Sequence, residues 1–217
     1  MPELFEPPRF IAVEGPIRVG KSTLAGILAE TLQARRIVEP ENNPFLDRFY
    51  QESSGMAFPT QMWFLAERYD QMRQAAIDLA GSDPLPIVAD YIFEKDKLFA
   101  YLNLSDAELD LYNRYYEIFR TEAPQPDLVI YLQASPEVLK QRLKRKGIAQ
   151  EQAISDLYIE QLAKAYEHFF FHYTASDLLV VDTTEIDFVN RPQDLARLLK
   201  RISEPIMGKQ YFLPSAL

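Results

Sequence analysis

The stretch from Phe10 to Ser22 constrains this chain more than any other. A short apolar run, FIAVE from Phe10 to Glu14, leads into a six-residue turn from Gly15 to Gly20, and a helical apolar pattern follows from Lys21 to Gln33. Gly15, Pro16, Ile17, Arg18, Val19, Gly20, Lys21 and Ser22 fit the spacing G-x4-G-K-[ST]. Strand, glycine-containing loop and helix in that order make a phosphate cradle. Backbone N–H groups of the loop and helix start point inward, and the helix dipole favours an anion there. Lys21 then reaches the terminal phosphates and the Ser22 hydroxyl is placed to ligate Mg²⁺, with Thr23 an ordinary first-turn residue. The segment predicts binding of a nucleoside triphosphate as its Mg²⁺ complex.

Ile37-Val38-Glu39, Ile87 to Asp90, Leu128 to Leu132 and Leu178 to Asp182 repeat the short Val- and Ile-rich run, each separated from the next by helical stretches. Buried strands alternating with helices predict an α/β chain of the P-loop NTPase type, three-layered, with a central parallel sheet of about five strands. No linker or internal repeat divides the 217 residues, so a single domain over 1–217 is expected. The absence of Cys excludes disulfides and thiolate-bound zinc and agrees with a cytoplasmic location. A formal charge of −9 argues against nucleic-acid polymers and anionic membranes as partners, because both need a broad positive field. No stretch reaches the ~20 apolar residues needed to cross a bilayer, and no basic leader precedes an apolar run.

Two helices carry narrow apolar stripes. One runs from about Phe58 to Leu79, with Phe58, Met62, Leu65, Tyr69, Met72, Ala76 and Leu79 spaced by four and three; the other begins near Ser155 and carries Ile159, Leu162, Tyr166, Phe169 and Tyr173. Such stripes serve either as core against the sheet or as the seam of a helix-bundle homodimer. Between them, Ser105 and Glu108 have capping-box spacing.

Glu39 and Asp90 stand at strand ends, and in an open parallel sheet the carboxyl ends of strands converge on the ligand crevice. Asp90 is suited to hold Mg²⁺ directly or through water, and Glu39 to accept the proton of an attacking hydroxyl; either can instead cap a strand or helix. The run KQRLKRK concentrates Lys140, Arg142, Lys144, Arg145 and Lys146 at the end of a helix announced by Ser135 and Pro136. It reads as a lid closing over a polyphosphate, or as a basic last turn complementing the helix dipole. Gln61 and Arg68 are seven apart beside the first stripe and can face a pocket, where an amide suits a nucleobase edge. His168 and His172 are four apart, but no third metal ligand accompanies them.

Taken together, these motifs resemble the deoxynucleoside kinase family, P-loop enzymes that phosphorylate the 5′-hydroxyl of deoxyribonucleosides. The resemblance runs through IAVEGPIRVGKST, Glu39-Pro40, FPTQMWFLAER, FEKDKLFA, PDLVIYLQASPEVLKQRLKRKG with the following Glu151-Gln152, and LLVVDTTEIDF. It implies ATP as donor, with Glu39 as the base for the 5′-hydroxyl and Gln61 pairing with the nucleobase. It further implies Arg68 near the base, Phe99 stacked on it, and Glu151 on the sugar from a lid at about 142–152. Arg142 and Lys146 would act on phosphate, and Asp187 and Phe188 enclose the donor's adenine. The segments around Gln61 and the lid look most like bacterial deoxyadenosine and deoxyguanosine kinases, which favours a purine acceptor.

The chain departs from the family pattern in three places. Tyr91, not Arg, follows Asp90; Ile148 replaces the second lid Arg; and Arg18 stands where the family usually has Gly. Arg18, Arg145 or Lys95 is therefore expected to supply the missing charge near the transferred phosphate. Two other readings share the same motifs: a thymidylate-like nucleoside monophosphate kinase, and a nucleotide-binding subunit without catalysis.

Overall fold

The computed structural model describes residues 7–51, 54–148 and 154–212. Six strands and eight helices alternate among those residues. They are β1 (Phe10–Glu14), α1 (Lys21–Leu32), β2 (Arg35–Ile37), α2 (Leu46–Tyr50), α3 (Ala57–Leu79), β3 (Ile87–Ala89) and α4 (Lys95–Asn103). After them come α5 (Asp106–Phe119), β4 (Leu128–Gln133), α6 (Pro136–Lys146), α7 (Asp156–His172), β5 (Asp177–Asp182), α8 (Pro192–Ile202) and β6 (Lys209–Phe212). The sheet is wholly parallel in the order β2-β3-β1-β4-β5-β6, so β1 lies centrally and all strands end on one edge.

Period-two alternation divides the central strands between two helical layers. Ile11 and Val13 of β1, Ile130 and Leu132 of β4, and Leu179 and Val181 of β5 pack with Leu24 and Leu28 of α1, Leu139 of α6 and Leu198 of α8. Their neighbours Ala12, Val129, Tyr131, Leu178 and Val180 turn the other way, onto Leu162, Tyr166 and Phe170 of α7 and Leu98 of α4. A third cluster joins Phe10, Ile37, Ile87 and Ala89 to Leu65 and Met72 of α3 and Tyr112 and Tyr116 of α5. Both apolar stripes are thus core of this chain. Truncating Leu65, which has no exposed surface, to Ala costs about 2–5 kcal/mol.

Three boundaries follow local chemistry. The Ser105 N–H donates to Glu108 at 2.9 Å, and Ser135 and Ser155 accept from Val138 N (3.4 Å) and Tyr158 N (3.2 Å) at the starts of α6 and α7. The sequence-based expectation fails at two strands. β2 ends at Ile37, its last partner being Ala89, and the chain leaves the sheet at Val38, so Glu39 lies two residues beyond the strand. β6, the sixth strand, carries KQYF without an apolar run because it is a half-exposed edge, registered against β5 from Leu178↔Lys209 to Val181↔Phe212.

Candidate active site

The cradle is built at the carboxyl end of β1. Gly15 has φ 151°, and a Cβ there would collide with the Leu132 carbonyl; Gly20 has φ 114°, and its Cβ would stand 2.7 Å from Phe188 Cζ. Only glycine fits either position. Arg18 also adopts a left-handed backbone, φ 61°, without being glycine. Gly20 caps α1 with no side chain over the first-turn N–H groups, which leaves them to a ligand. Lys21 Nζ donates to the carbonyls of Gly15 (2.8 Å) and Pro16 (3.1 Å). Burial, then the neighbouring Lys95 charge, lowers its pKa from 10.5 to about 8, against the pull of Glu14, Glu39 and Asp90. Beneath the loop, buried Glu14 accepts from Gly15 N (2.7 Å), Tyr166 OH (3.0 Å) and Ile92 N (3.1 Å), tying β1 to α7 and the β3–α4 turn.

Asp90, fully buried at the end of β3, fixes the turn that carries Glu39. Its Oδ1 accepts the Glu39 N–H at 2.6 Å, and its own N–H donates to the Ile37 carbonyl at 3.1 Å. The Glu39 carboxylate then meets Lys95 Nζ at 2.7 and 2.6 Å and Arg68 Nη2 at 2.6 Å. Burial alone would raise the pKa of Glu39, but Lys95 foremost, then Arg68 and Lys21, outweigh it and hold the carboxylate well below the usual range. Arg68 Nη1 pairs with Asp96, whose carboxylate also receives Gln61 Nε2 (2.5 Å) and Tyr112 OH (2.7 Å). Gln61 donates a second time to the Asp96 carbonyl at 2.9 Å. Phe99, one turn after Lys95, lies 5.5 Å below its ammonium and edge-on to Tyr166.

Asp90 Oδ2 is buried and finds no partner among the described residues, an orphaned acceptor of the kind that a bound cation or its water satisfies. Ser22 and Asp90 line the same cleft, so the two residues fit a Mg²⁺ ion held mainly by phosphate and water. Among the described residues no group of three or more His, Cys, Asp or Glu is arranged to hold a metal, and the adjacent rings of His168 and His172 gain no third ligand.

The basic run divides by role. Lys140 pairs with Glu160 (2.7 Å) and Asp156 (3.5 Å), fastening α6 to α7. Arg142 turns inward, donating to the Val19 carbonyl (3.2 Å), Thr183 Oγ1 (3.0 Å) and the Thr183 carbonyl (2.6 Å), so it bridges the loop to the end of β5. Arg145, Lys146 and Arg18 line the cleft beside it. Asp187 organises its own turn, accepting from Val189 N, Asn190 N and Asn190 Nδ2, and Phe188 packs under Gly20 in the core. Glu151 lies outside the described residues, as does the 149–152 part of the expected lid.

One cleft of about 1370 Å³ joins these parts, from Lys146 and Asp187 across Lys21 to Gln61 and Phe99. A single small-ligand site takes ~300–1,000 Å³, so this volume accommodates a donor and an acceptor end to end. The deoxynucleoside kinase family profile matches residues 11–207. The chain belongs to the deoxynucleoside kinase family. It is 34% identical over 203 residues to a deoxyguanosine kinase of Bacillus subtilis, covering 91% of this chain and 98% of that one. A deoxyadenosine kinase of Lactobacillus acidophilus is 29% identical, with 90% and 95% covered. The structure of deoxyadenosine kinase from M. mycoides with bound dATP superposes with a TM-score of 0.75 at 26% identity, covering 90% of this chain and all of that chain. The protein is thus a kinase, a phosphotransferase on the nucleotide-binding fold of this family.

Glu39, Gln61, Arg68, Lys21, Ser22 and Asp90 all line the one cleft. Asp96, Tyr112 and Glu14 carry no signal in the sequence, because a carboxylate in a first helical turn or before a loop, or a Tyr in mid-helix, declares itself only once its partners are in place. Tyr91, at the position of the missing Arg, is buried and donates to Gln71 Oε1 at 2.6 Å, so its hydroxyl is committed to α3. Among the described residues no helix is long and apolar enough to cross a membrane.

Proposed function

We propose that the protein transfers the γ-phosphoryl group of ATP to the 5′-hydroxyl of a deoxynucleoside, a purine deoxynucleoside for preference. The observation that carries this reading is the Glu39 carboxylate, kept ionised by Lys95 and Arg68 between the phosphate loop and Gln61. A hydroxyl presented there would hydrogen-bond to Glu39 in the cleft that Lys21 also lines. A carboxylate held so low is a weak base, which suits a loose phosphoryl-transfer transition state in which the nucleophile loses its proton late. Positioning and electrostatics then supply most of the acceleration.

Ser22 and Asp90 would hold Mg²⁺, which when bound neutralises phosphate charge. Lys21 and Arg142 serve the phosphates, with Arg18 and Lys146 at the cleft wall. The phosphate loop (Gly15, Pro16, Ile17, Val19, Gly20, Thr23) supplies backbone donors, and the turn at Asp187 and Phe188 borders the donor's base. Gln61, Arg68 and Phe99 form the nucleoside end, and segment 142–152, with Glu151, acts as the lid of a single domain. The purine preference rests on the relatives, named deoxyguanosine and deoxyadenosine kinases.

The acceptor end favours a neutral acceptor over a nucleoside monophosphate. Arg68 is divided between Glu39 and Asp96, and Lys95, with two N–H groups on Glu39, keeps a single N–H, too little to hold a second phosphate. A homodimer is supported by Leu111, Tyr115 and Ile118, exposed along one face of α5, and a cytoplasmic location by the cysteine-free composition. ADP release from MgATP with each deoxynucleoside, with each monophosphate and without acceptor tests the reading. Turnover on deoxyguanosine or deoxyadenosine supports it. Turnover on dTMP alone favours a monophosphate kinase, and ATP binding without any turnover favours a binding subunit.

A further inference from the structure

Lys95 begins α4 yet is one of the most deeply buried cations of the chain, its side chain 3% exposed. Its Nζ donates to both oxygens of Glu39 and rests 5.5 Å over the Phe99 ring, which fixes it on the wall of the cleft. Arg68, the other cation on Glu39, divides its guanidinium between Glu39 and Asp96. Lys95 is therefore the cation dedicated to Glu39. An ammonium has three N–H donors and Glu39 takes two; no described residue accepts the third. The charge is also felt across the cleft, since Lys95 is the foremost neighbouring charge on Lys21.

A simple geometric bound follows. A hydroxyl hydrogen-bonded to Glu39 lies ~2.7 Å from a carboxylate oxygen, and Nζ lies within 2.7 Å of both, so the attacking oxygen comes within about 5.4 Å of the ammonium. The ammonium sits with Glu39 and Phe99, while Lys21 donates to the phosphate-loop carbonyls of Gly15 and Pro16 and Arg142 to Val19 and Thr183. Of the three cations expected to replace the Arg missing after Asp90, Lys95 has contacts that lead to the reacting atoms. Arg145 is exposed on the last turn of α6, and Arg18 lies in the loop.

We infer that Lys95 is a functional cation of the phosphoryl-transfer step, orienting Glu39 and placing its third N–H and its positive charge beside the attacking oxygen and the moving phosphoryl group. This rests on the reading of Glu39 as the acceptor of the hydroxyl proton. In the step, the 5′-oxygen forms its bond to the γ-phosphorus and its proton passes to Glu39. The bond from γ-phosphorus to the bridging oxygen breaks, and ADP leaves with the electron pair. Lys95 keeps its protons throughout and stabilises charge that develops only in passage, so it acts on kcat more than on binding.

The chain's lack of Cys gives a specific test. Lys95→Cys, alkylated in the unfolded state with 2-bromoethylamine and refolded, carries a lysine analogue at this position alone; wild type taken through the same cycle is the control. Lys95→Met and unalkylated Lys95→Cys are expected to lose at least 30-fold in kcat, with KM for ATP and for the deoxynucleoside within threefold of wild type. Aminoethylation, verified by intact mass, is expected to recover at least tenfold. A kcat within threefold of wild type in Lys95→Met overturns the inference. So does a loss carried by KM, or one that aminoethylation leaves unrepaired while circular dichroism shows the fold restored. Glu39→Gln is measured alongside: if it retains full turnover, the reading of Glu39 itself fails, a result distinct from failure at Lys95 alone.

Discussion

Lys21 makes ATP binding a proton-linked event. With its pKa near 8 before nucleotide arrives, Lys21 is about 10% neutral at pH 7, about 50% at pH 8 and about 90% at pH 9. A triphosphate beside the ammonium restores the charged form, so binding draws in the missing fraction of a proton. Titration calorimetry of MgATP in pairs of buffers with different ionisation enthalpies reads this uptake directly: about 0.1 proton per site at pH 7, 0.5 at pH 8 and 0.9 at pH 9. The same linkage weakens ATP about tenfold between pH 7 and 9, or about 1.4 kcal/mol. Lys95→Met removes the foremost neighbouring charge that lowers Lys21 and should shift the uptake curve to higher pH. The folded protein without nucleotide responds in the opposite sense. The folded pKa lies below the unfolded 10.5, so the penalty for burying the charge is fully present below pH 8, and stability rises as pH climbs from 8 to 10.5. Uptake that stays below 0.1 proton at pH 9 would refute the argument that burial and Lys95 depress Lys21.

Three further outcomes follow from the geometry. Arg18→Gly takes a cation off the cleft wall at a φ of 61°; with Lys95 as the cation at the reacting atoms, kcat should fall less than threefold in steady-state assays, against the 30-fold loss of Lys95→Met. Gly20→Ala sets a methyl 2.7 Å from Phe188 Cζ on a backbone of φ 114°; ATP affinity should fall at least tenfold, and the melting temperature should drop. Asp90→Asn weakens the acceptor for Glu39 N–H and removes the charge facing the cation site, so the Mg²⁺ concentration for half-maximal activity should rise severalfold in a metal titration.

The parts of the molecule that were legible in sequence are those fixed by short-range chemistry. Gly15 and Gly20 bracket the cradle at fixed spacing because two close backbone approaches leave no room for a Cβ, and Ser105, Ser135 and Ser155 mark helix starts because N-cap chemistry is local. The alternating strands of the core carried a signal because both faces are buried. β6 did not, since an edge strand needs no apolar run, and β2 ends early because Asp90 takes the Glu39 N–H into a turn rather than a ladder. The network joining Glu39, Lys95, Arg68, Asp96, Gln61 and Tyr112 draws on residues from α3, α4, α5 and the β2 turn. Its pairings exist only once the helices pack, so sequence gives its members singly and not the links between them. The apolar stripe of α3 shows the same limit, since periodicity cannot tell a core face from a dimer seam until the sheet is in place.

The most direct test of the account is transfer of labelled γ-phosphoryl from MgATP to deoxyguanosine and deoxyadenosine by wild type and Glu39→Gln, with the product's phosphate position assigned. The account predicts a 5′-monophosphate from wild type and a loss of at least a hundredfold in kcat for the variant, with ATP affinity unchanged. A product phosphorylated elsewhere, or a variant that turns over like wild type, would contradict it.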